Sequence, residues 1–210
     1  MGLYADRVFP HLMNKVMDTP QTRATRKRVC QGLAGDVVEI GFGTGHNLPY
    51  LPDGVTRIRA VEPLSVGVRL AGDRIRASSV PVEISGLDGQ DLPFEDATAD
   101  AVLCTWSLCS IPDPVQAVRE MRRVLRPGGT LHFAEHGRAP DAGVLQWQRR
   151  LNPVQKRVAA GCHLDRDIPG ILSAGGLEVV DVTHAYEERM PRVFGSLYVG
   201  RAVPVSGPFG

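Results

Sequence analysis

The sequence predicts an α/β fold: a mostly parallel, seven-stranded sheet flanked by helices, with a helical cover segment ahead of the last two strands. Three observations predict it. Short apolar runs alternate with helix-period patterns along most of the 210 residues, as βα units with parallel strands require. A glycine-rich turn follows the first apolar run. No internal repeat, low-complexity block or Pro/Gly/Ser linker divides the chain.

Each element can be placed in order. Asp36–Ile40, Arg57–Val61, Pro81–Ser85, Asp100–Cys104 and Thr130–Glu135 read as five strands, and Leu177–Thr183 and Phe194–Val203 as two more. Helices are expected over Gln21–Leu33, Leu64–Arg76 and Pro114–Leu125. The last is well punctuated. Asp113 caps it, Pro114 takes its first position and Gln116 stands as capping-box partner, while Pro127-Gly128-Gly129 stops it. From Arg138 to Ala174 a longer helical stretch, broken at Pro153, Gly161 and Pro169, interrupts the alternation where an open sheet can receive a cover. Residues 1–34 are expected to form an N-terminal helical lid region, 35–203 the ligand-binding domain with 138–174 as its cover, and 204–210 a flexible tail.

Composition narrows the function classes. Hydrophobic residues make up 43% and charged ones 22%, ordinary values for a globular chain. A net charge of +1 shows no concentration of basic residues of the kind nucleic-acid binding uses. No stretch approaches the ~18 apolar residues of a membrane span, and the start carries no signal peptide. The four cysteines Cys30, Cys104, Cys109 and Cys162 form no CxxC pair and show no metal-ligand spacing, so no metal is expected. A soluble chain in a reducing cytoplasm is the expectation.

Val37-Val38-Glu39-Ile40-Gly41-Phe42-Gly43-Thr44-Gly45-His46-Asn47 is the most informative segment. Glycines at alternate positions after a buried strand let the backbone approach a ligand at the carboxyl edge of the sheet. A dinucleotide loop, GxGxxG, would need glycine at 46, where this chain has His46. Glu39, two residues before Gly41, favours a cationic ligand and repels a pyrophosphate. Glu62, seventeen residues after Gly45, closes the second strand, where an acid can accept both hydroxyls of a ribose. NAD enzymes place an acid there as well, so Glu62 speaks for a ribose and not for one donor.

The E-x-G-x-G-x-G pattern resembles that of the class I S-adenosylmethionine-dependent methyltransferases, a Rossmann-like fold. Leu87-Asp88-Gly89-Gln90-Asp91-Leu92-Pro93-Phe94 is similar to the family's D-A-E-x-L-P-F loop, and Arg126-Pro127-Gly128-Gly129 to its turn before the fifth strand. The resemblance implies S-adenosylmethionine as methyl donor and S-adenosylhomocysteine as product. It places Glu39 near the donor's amino group, Glu62 on the ribose, and Asp88 and Gly89 at the adenine; Asp91 is the alternative to Asp88. Gly41, Gly43, Gly45, Asn47, Pro63 and Thr105 complete the expected donor-contacting set.

Further matches point to an acceptor class. Leu108-Cys109-Ser110-Ile111, His132-Phe133-Ala134-Glu135-His136, Asn152-Pro153 and Gly161-Cys162-His163-Leu164-Asp165-Arg166 resemble the mammalian alkyl-thiol methyltransferases and their bacterial relatives. More distantly the chain is similar to phospholipid N-methyltransferases and quinone C-methyltransferases. The expected partner is therefore a small-molecule or lipid-like acceptor, with no nucleic acid. No Asn/Asp-Pro-Pro-Tyr/Phe motif and no Pro-Cys nucleophile follows the fourth strand, where Cys104-Thr105-Trp106-Ser107 stands. His136 and His163 are the candidate catalytic residues, as base or as orienters of an acceptor thiol. Trp106, Cys109 and Tyr4 are candidates for the acceptor pocket, Trp106 as a wall whose aromatic face suits a cation. Two other readings compete: a nucleotide-dependent oxidoreductase on the same sheet, and a donor-binding module without turnover.

Overall fold

The structure is a computed structural model that describes residues 9–86 and 88–205. Its strands are β1 (Gly35–Ile40), β2 (Val55–Val61), β3 (Val82–Gly86), β4 (Ala99–Thr105), β5 (Leu125–His136), β6 (Leu177–Tyr186) and β7 (Ser196–Pro204). They form one seven-stranded sheet in the order β3-β2-β1-β4-β5-β7-β6. The first five are parallel, and β7 inserts antiparallel between β5 and β6. The order reverses between β1 and β4, so their carboxyl ends flank a crevice, the usual ligand position of an open α/β sheet.

Eight helices flank the sheet among the described residues: α1 (Phe9–Val16), α2 (Pro20–Val29), α3 (Ser65–Leu70), α4 (Gly72–Ala77), α5 (Pro114–Val124), α6 (Ala142–Val158), α7 (Ile168–Ala174) and α8 (Arg192–Gly195). β1 is buried from Asp36 onward because both of its faces are covered. Val38, Ile40, Val102, Cys104, Leu131 and Phe133 point to one side, against Ala117, Val118, Met121 and Val124 of α5 and Ile168 and Leu172 of α7. Val37, Ala101 and Leu103 point to the other, against Val29, Cys30 and Leu33 at the end of α2. The four buried positions of α5 follow helical spacing, and each large apolar side chain there contributes roughly 1.5–3 kcal/mol by leaving water.

Several elements depart from the sequence reading, among them α2, which ends at Val29 rather than Leu33, and β5 and β6, which reach Leu125 and Tyr186 through added pairing. Pro153 does not break the cover: α6 continues through it to Val158. Pro153 and Arg149, whose carbonyl loses its partner, both lie on the exposed face, where an unbonded carbonyl costs little. The segment expected as one helix over Leu64–Arg76 divides at Ala71 into α3 and α4. The last strand starts at Ser196, not Phe194, because Phe194 belongs to α8. α5 stops at Val124, ahead of the Pro-Gly-Gly turn, because Leu125 pairs with Ala99 of β4, and Ala97 and Thr98 N–H groups take the carbonyls of Arg123 and Val124. The cap of α5 is half a box. Asp113 accepts from Gln116 N at 2.9 Å, but the Asp113 N–H donates to Gln90 Oε1 at 2.7 Å rather than to Gln116.

Candidate active site

The loop after β1 is shaped by backbone. Gly41, Gly43 and Gly45 all have positive φ, at 71°, 56° and 74°. A Cβ on Gly41 would sit 1.9 Å from Ser107 Oγ, so this loop presses directly on the residues that follow β4. At Gly43 the nearest such atom is 3.8 Å away, which leaves bare backbone beside open space.

Behind the loop lies a buried polar network. Glu39 is 1% exposed. Its Oε1 accepts from Asn47 Nδ2 at 2.7 Å, while its Oε2 is buried without a partner. Asn47 Nδ2 also reaches Thr105 Oγ1 at 3.0 Å, and Asn47 Oδ1 accepts from Arg26 Nη1 at 2.7 Å. The Arg26 guanidinium lies 4.7 Å from the Trp106 ring centroid, and its Nε is another buried atom without a partner. Burial pushes the Glu39 carboxyl up to about 7, against the lowering by Asn47 and Arg26. Burial likewise lowers Arg26 to about 10 despite Glu39 beside it. His46 is lowered to about 4, by burial first and then by Arg26 and Arg74, so its imidazole is neutral. An orphaned carboxylate oxygen in a dry site is costly unless a donor or cation meets it.

The other expected donor residues line the same edge. Glu62 Oε2 accepts from Gly43 N at 2.7 Å and its Oε1 from Leu64 N at 2.9 Å, and burial raises its pKa. It braces the glycine loop while keeping further lone pairs for a ligand. Pro63 is exposed beside it. Asp88 is exposed and accepts from Gln90 N at 2.8 Å, shaping its own turn. Gly89 sits against Ile40, where a Cβ would come within 3.0 Å of Ile40 Cγ2.

The ends of β4 and β5 form a second polar centre. Trp106 has φ +51°, a left-handed conformation that a bulky side chain rarely adopts. The Arg26 guanidinium lies over its ring, and the His136 ring meets it in a T-shaped contact at 6.4 Å. Glu135 is fully buried and organises the adjoining turn. Its Oε1 accepts from Ser107 N at 2.8 Å and from Cys104 Sγ at 3.4 Å, and its Oε2 from Cys109 N at 3.2 Å. The turn brings Cys109 Sγ to 3.6 Å from Cys162 Sγ, with His136 beside them. Glu187 Oε2 lies 3.9 Å from His136 Nε2.

Both centres lie at the carboxyl ends of the central strands and meet at Trp106, and similarity to known proteins says what kind of site they make. The family model for a methyltransferase domain matches residues 38–133. The thiol S-methyltransferase TMT1B of Homo sapiens is 32% identical over 175 residues, covering 76% of this chain and 70% of that protein. The chain belongs to the class I S-adenosylmethionine-dependent methyltransferases. The Rattus norvegicus TMT1B is 34% identical over 137 residues, and the match spans 55% of its length. The phosphatidylethanolamine N-methyltransferase of Cereibacter sphaeroides is 29% identical over 183 residues, covering 84% of this chain and 85% of that one. In fold, the chain superposes with a TM-score of 0.72 and 19% identity on a solved chain from the complex of the Haloferax volcanii Trm112 activator with a methyltransferase, covering 96% of each.

Within this methyltransferase, the structure brings Glu39, Asn47, Thr105 and Trp106 together and sets Glu62 and Gly43 beside them. Tyr4 lies outside the described residues. His163 is tied to the Cys109 carbonyl, through its N–H at 2.8 Å and its Nδ1 at 3.3 Å. The neighbouring Asp165 does not orient it, because Asp165 bonds Asn152 instead.

Four residues escaped the sequence reading: Arg26, Glu135, Cys162 and Glu187. Arg26 left one signal, since it shares the Thr22–Arg26–Val29 face that α2 buries, and an arginine on a core-facing stripe implies a buried partner. The cysteine spacing also misleads. Cys109 and Cys162 are 53 residues apart, yet with His136 their ligand atoms all lie within 4.8 Å of one another.

Proposed function

We propose that the chain transfers the methyl group of S-adenosylmethionine to a small-molecule thiol. The observation that carries the donor is the buried, unpartnered Oε2 of Glu39 at the mouth of the glycine loop. S-adenosylmethionine, when bound, supplies an electrophilic methyl on a sulfonium centre. Glu39 Oε2 would receive its ammonium, Arg26 Nε its carboxylate, Glu62 its ribose, and the Asp88–Gly89 turn its adenine. Gly41, Gly43 and Gly45 leave the room, Asn47 and Thr105 hold Glu39 in place, and Pro63 ends β2 at the ribose side. Of the expected lid, residues 9–34 would close over the donor, and 138–174 over the acceptor.

The acceptor reading rests on the likeness to thiol S-methyltransferases and on the chemistry beside Trp106. A thiol with a pKa near 8.5 needs only modest help to become the thiolate nucleophile. His136, Cys109 and Cys162 supply a soft, polar wall there, and positioning with desolvation does the remainder. His163 stands behind that wall as a positioning group on the Cys109 carbonyl.

A labelled-donor assay against alkyl thiols, phosphatidylethanolamine vesicles and quinols, read by mass spectrometry, tests this. Methylated thiol is expected. Product from the lipid or quinol alone would overturn the thiol, and donor binding without any product would leave a non-catalytic binding protein.

A further inference from the structure

We propose that Cys109, Cys162 and His136 form a mononuclear site for a soft divalent cation such as zinc, with an open fourth position that takes the acceptor thiolate. The inference rests on the thiol reading above and assigns the group that activates that thiol.

The geometry suits such an ion. Tetrahedral zinc with two thiolates and one imidazole places its ligand atoms about 3.6–3.8 Å apart. The two sulfurs are 3.6 Å apart, and the histidine nitrogen joins them within 4.8 Å. Two sulfurs and an imidazole form a donor set that selects zinc over hard cations. Three protein ligands with one position left is the arrangement of catalytic zinc.

The three ligands are presented by separate devices. Glu135 fixes the Cys109 turn through its backbone N–H. His136 ends β5, and Glu187 Oε2 near its Nε2 stands where a carboxylate commonly steadies a metal-bound imidazole. Cys162 lies in the turn after α6, where Ala160 and Gly161 both take positive φ, at 46° and 90°. That turn is pinned to its partner by the His163 N–H on the Cys109 carbonyl and by Arg166 on the Leu108 carbonyl. Strain stored in a well-braced turn is found where a side chain must be aimed.

The location matches the role. Trp106 is the shared neighbour of the two centres, 4.7 Å from the Arg26 guanidinium and 6.4 Å from the His136 ring, so the ion would lie near the donor end. On binding, the acceptor S–H bond breaks and its proton leaves to solvent. The sulfur's electron pair then forms the new C–S bond as the sulfonium C–S bond breaks and returns its pair to the donor sulfur.

The test uses the full chain, reduced and loaded with Zn²⁺ or Co²⁺. One equivalent of metal, a thiolate-to-cobalt charge-transfer band, and a shift of the cobalt bands on adding a small alkyl thiol are expected. Cys109→Ser and Cys162→Ser should each weaken metal binding at least 100-fold, and Cys30→Ala, outside the cluster, should not. If a serine variant fails to fold, protection of the wild-type thiols from alkylation by bound zinc gives the same answer. No stoichiometric metal, or a Cys109–Cys162 disulfide formed in preference to metal uptake, overturns the site. Metal without a spectral response to thiols overturns the open position. Metal with that response but no methylated thiol would leave the site standing and remove the thiol reading.

Discussion

The candidate site has two ends, and they are built in different ways. The donor end draws Glu39, the three glycines and Asn47 from one stretch of nine residues, with Glu62 at the end of the adjacent strand. Local chain geometry places them, and Arg26 of α2 with Thr105 at the end of β4 completes the network. The acceptor end takes Cys109, Glu135, His136, Cys162 and Glu187 from four separate parts of the chain. One buried carboxylate serves each end in a different manner. Glu39 keeps an oxygen free for a ligand, whereas Glu135 gives both of its oxygens to the protein. Both ends still hold buried polar atoms without a partner, Glu39 Oε2 and Arg26 Nε at the first, His136 Nε2 and Glu187 Oε1 at the second; the difference lies in which carboxylate braces backbone and which keeps an oxygen free.

Glu39→Gln should break the donor end most severely. It removes the charge that meets an ammonium while keeping the Asn47 contact, and donor affinity by calorimetry is expected to fall about 100-fold or more, the scale of a buried charge pair. Unchanged affinity would place the donor's amino group elsewhere. Glu135→Gln should act on the other end. It sets an amide N–H₂ against backbone N–H donors, and a loss of about 2–3 kcal/mol in urea unfolding is expected. Loss of acceptor turnover with donor affinity kept would sharpen the division, and an equal loss of both would erase it.

pH separates the ends further. The Glu39 carboxyl is raised from its ordinary 4.5 to about 7, chiefly by burial, with Asn47, Arg26 and Glu62 facing it. Between those values the folded chain holds a proton that the unfolded chain has released, so donor-free stability falls as pH rises through that window. An ammonium needs the carboxylate, so donor affinity should rise about tenfold per unit below pH 7 and level off above it. Calorimetry from pH 5 to 8 reads this slope, and Glu39→Gln should flatten it. Asp113→Ala, remote from both ends, should cost only the α5 cap, about 1 kcal/mol by thermal melting, and leave affinity and turnover unchanged.

How much was legible in the sequence follows the same division. Five strands appeared within about two residues because apolar runs bounded by Gly and Pro are local signals. In contrast, β5 starts five residues early and β6 ends three late because pairing with β4 and β7 extends them. Helix ends shifted where tertiary pairing intervened, as at Leu125, which β4 draws into the sheet, and Phe194, which α8 claims. A proline rule failed at Pro153 because the carbonyl it leaves unbonded belongs to Arg149 on the exposed face, where losing that bond costs little. Arg26 was hidden because an arginine in a helix is ordinarily a surface charge.

By itself, then, the order of residues determined the sheet, the glycine turn and the acid beside it. Neighbours along the chain set those dihedral angles and place that carboxylate at the strand end. Only the folded form decided which oxygen stays without a partner and which sulfurs meet. Those contacts join residues such as Cys109 and Cys162, 53 positions apart, and no local preference can specify a distance between groups that touch only after the sheet, the cover and the last strands have packed.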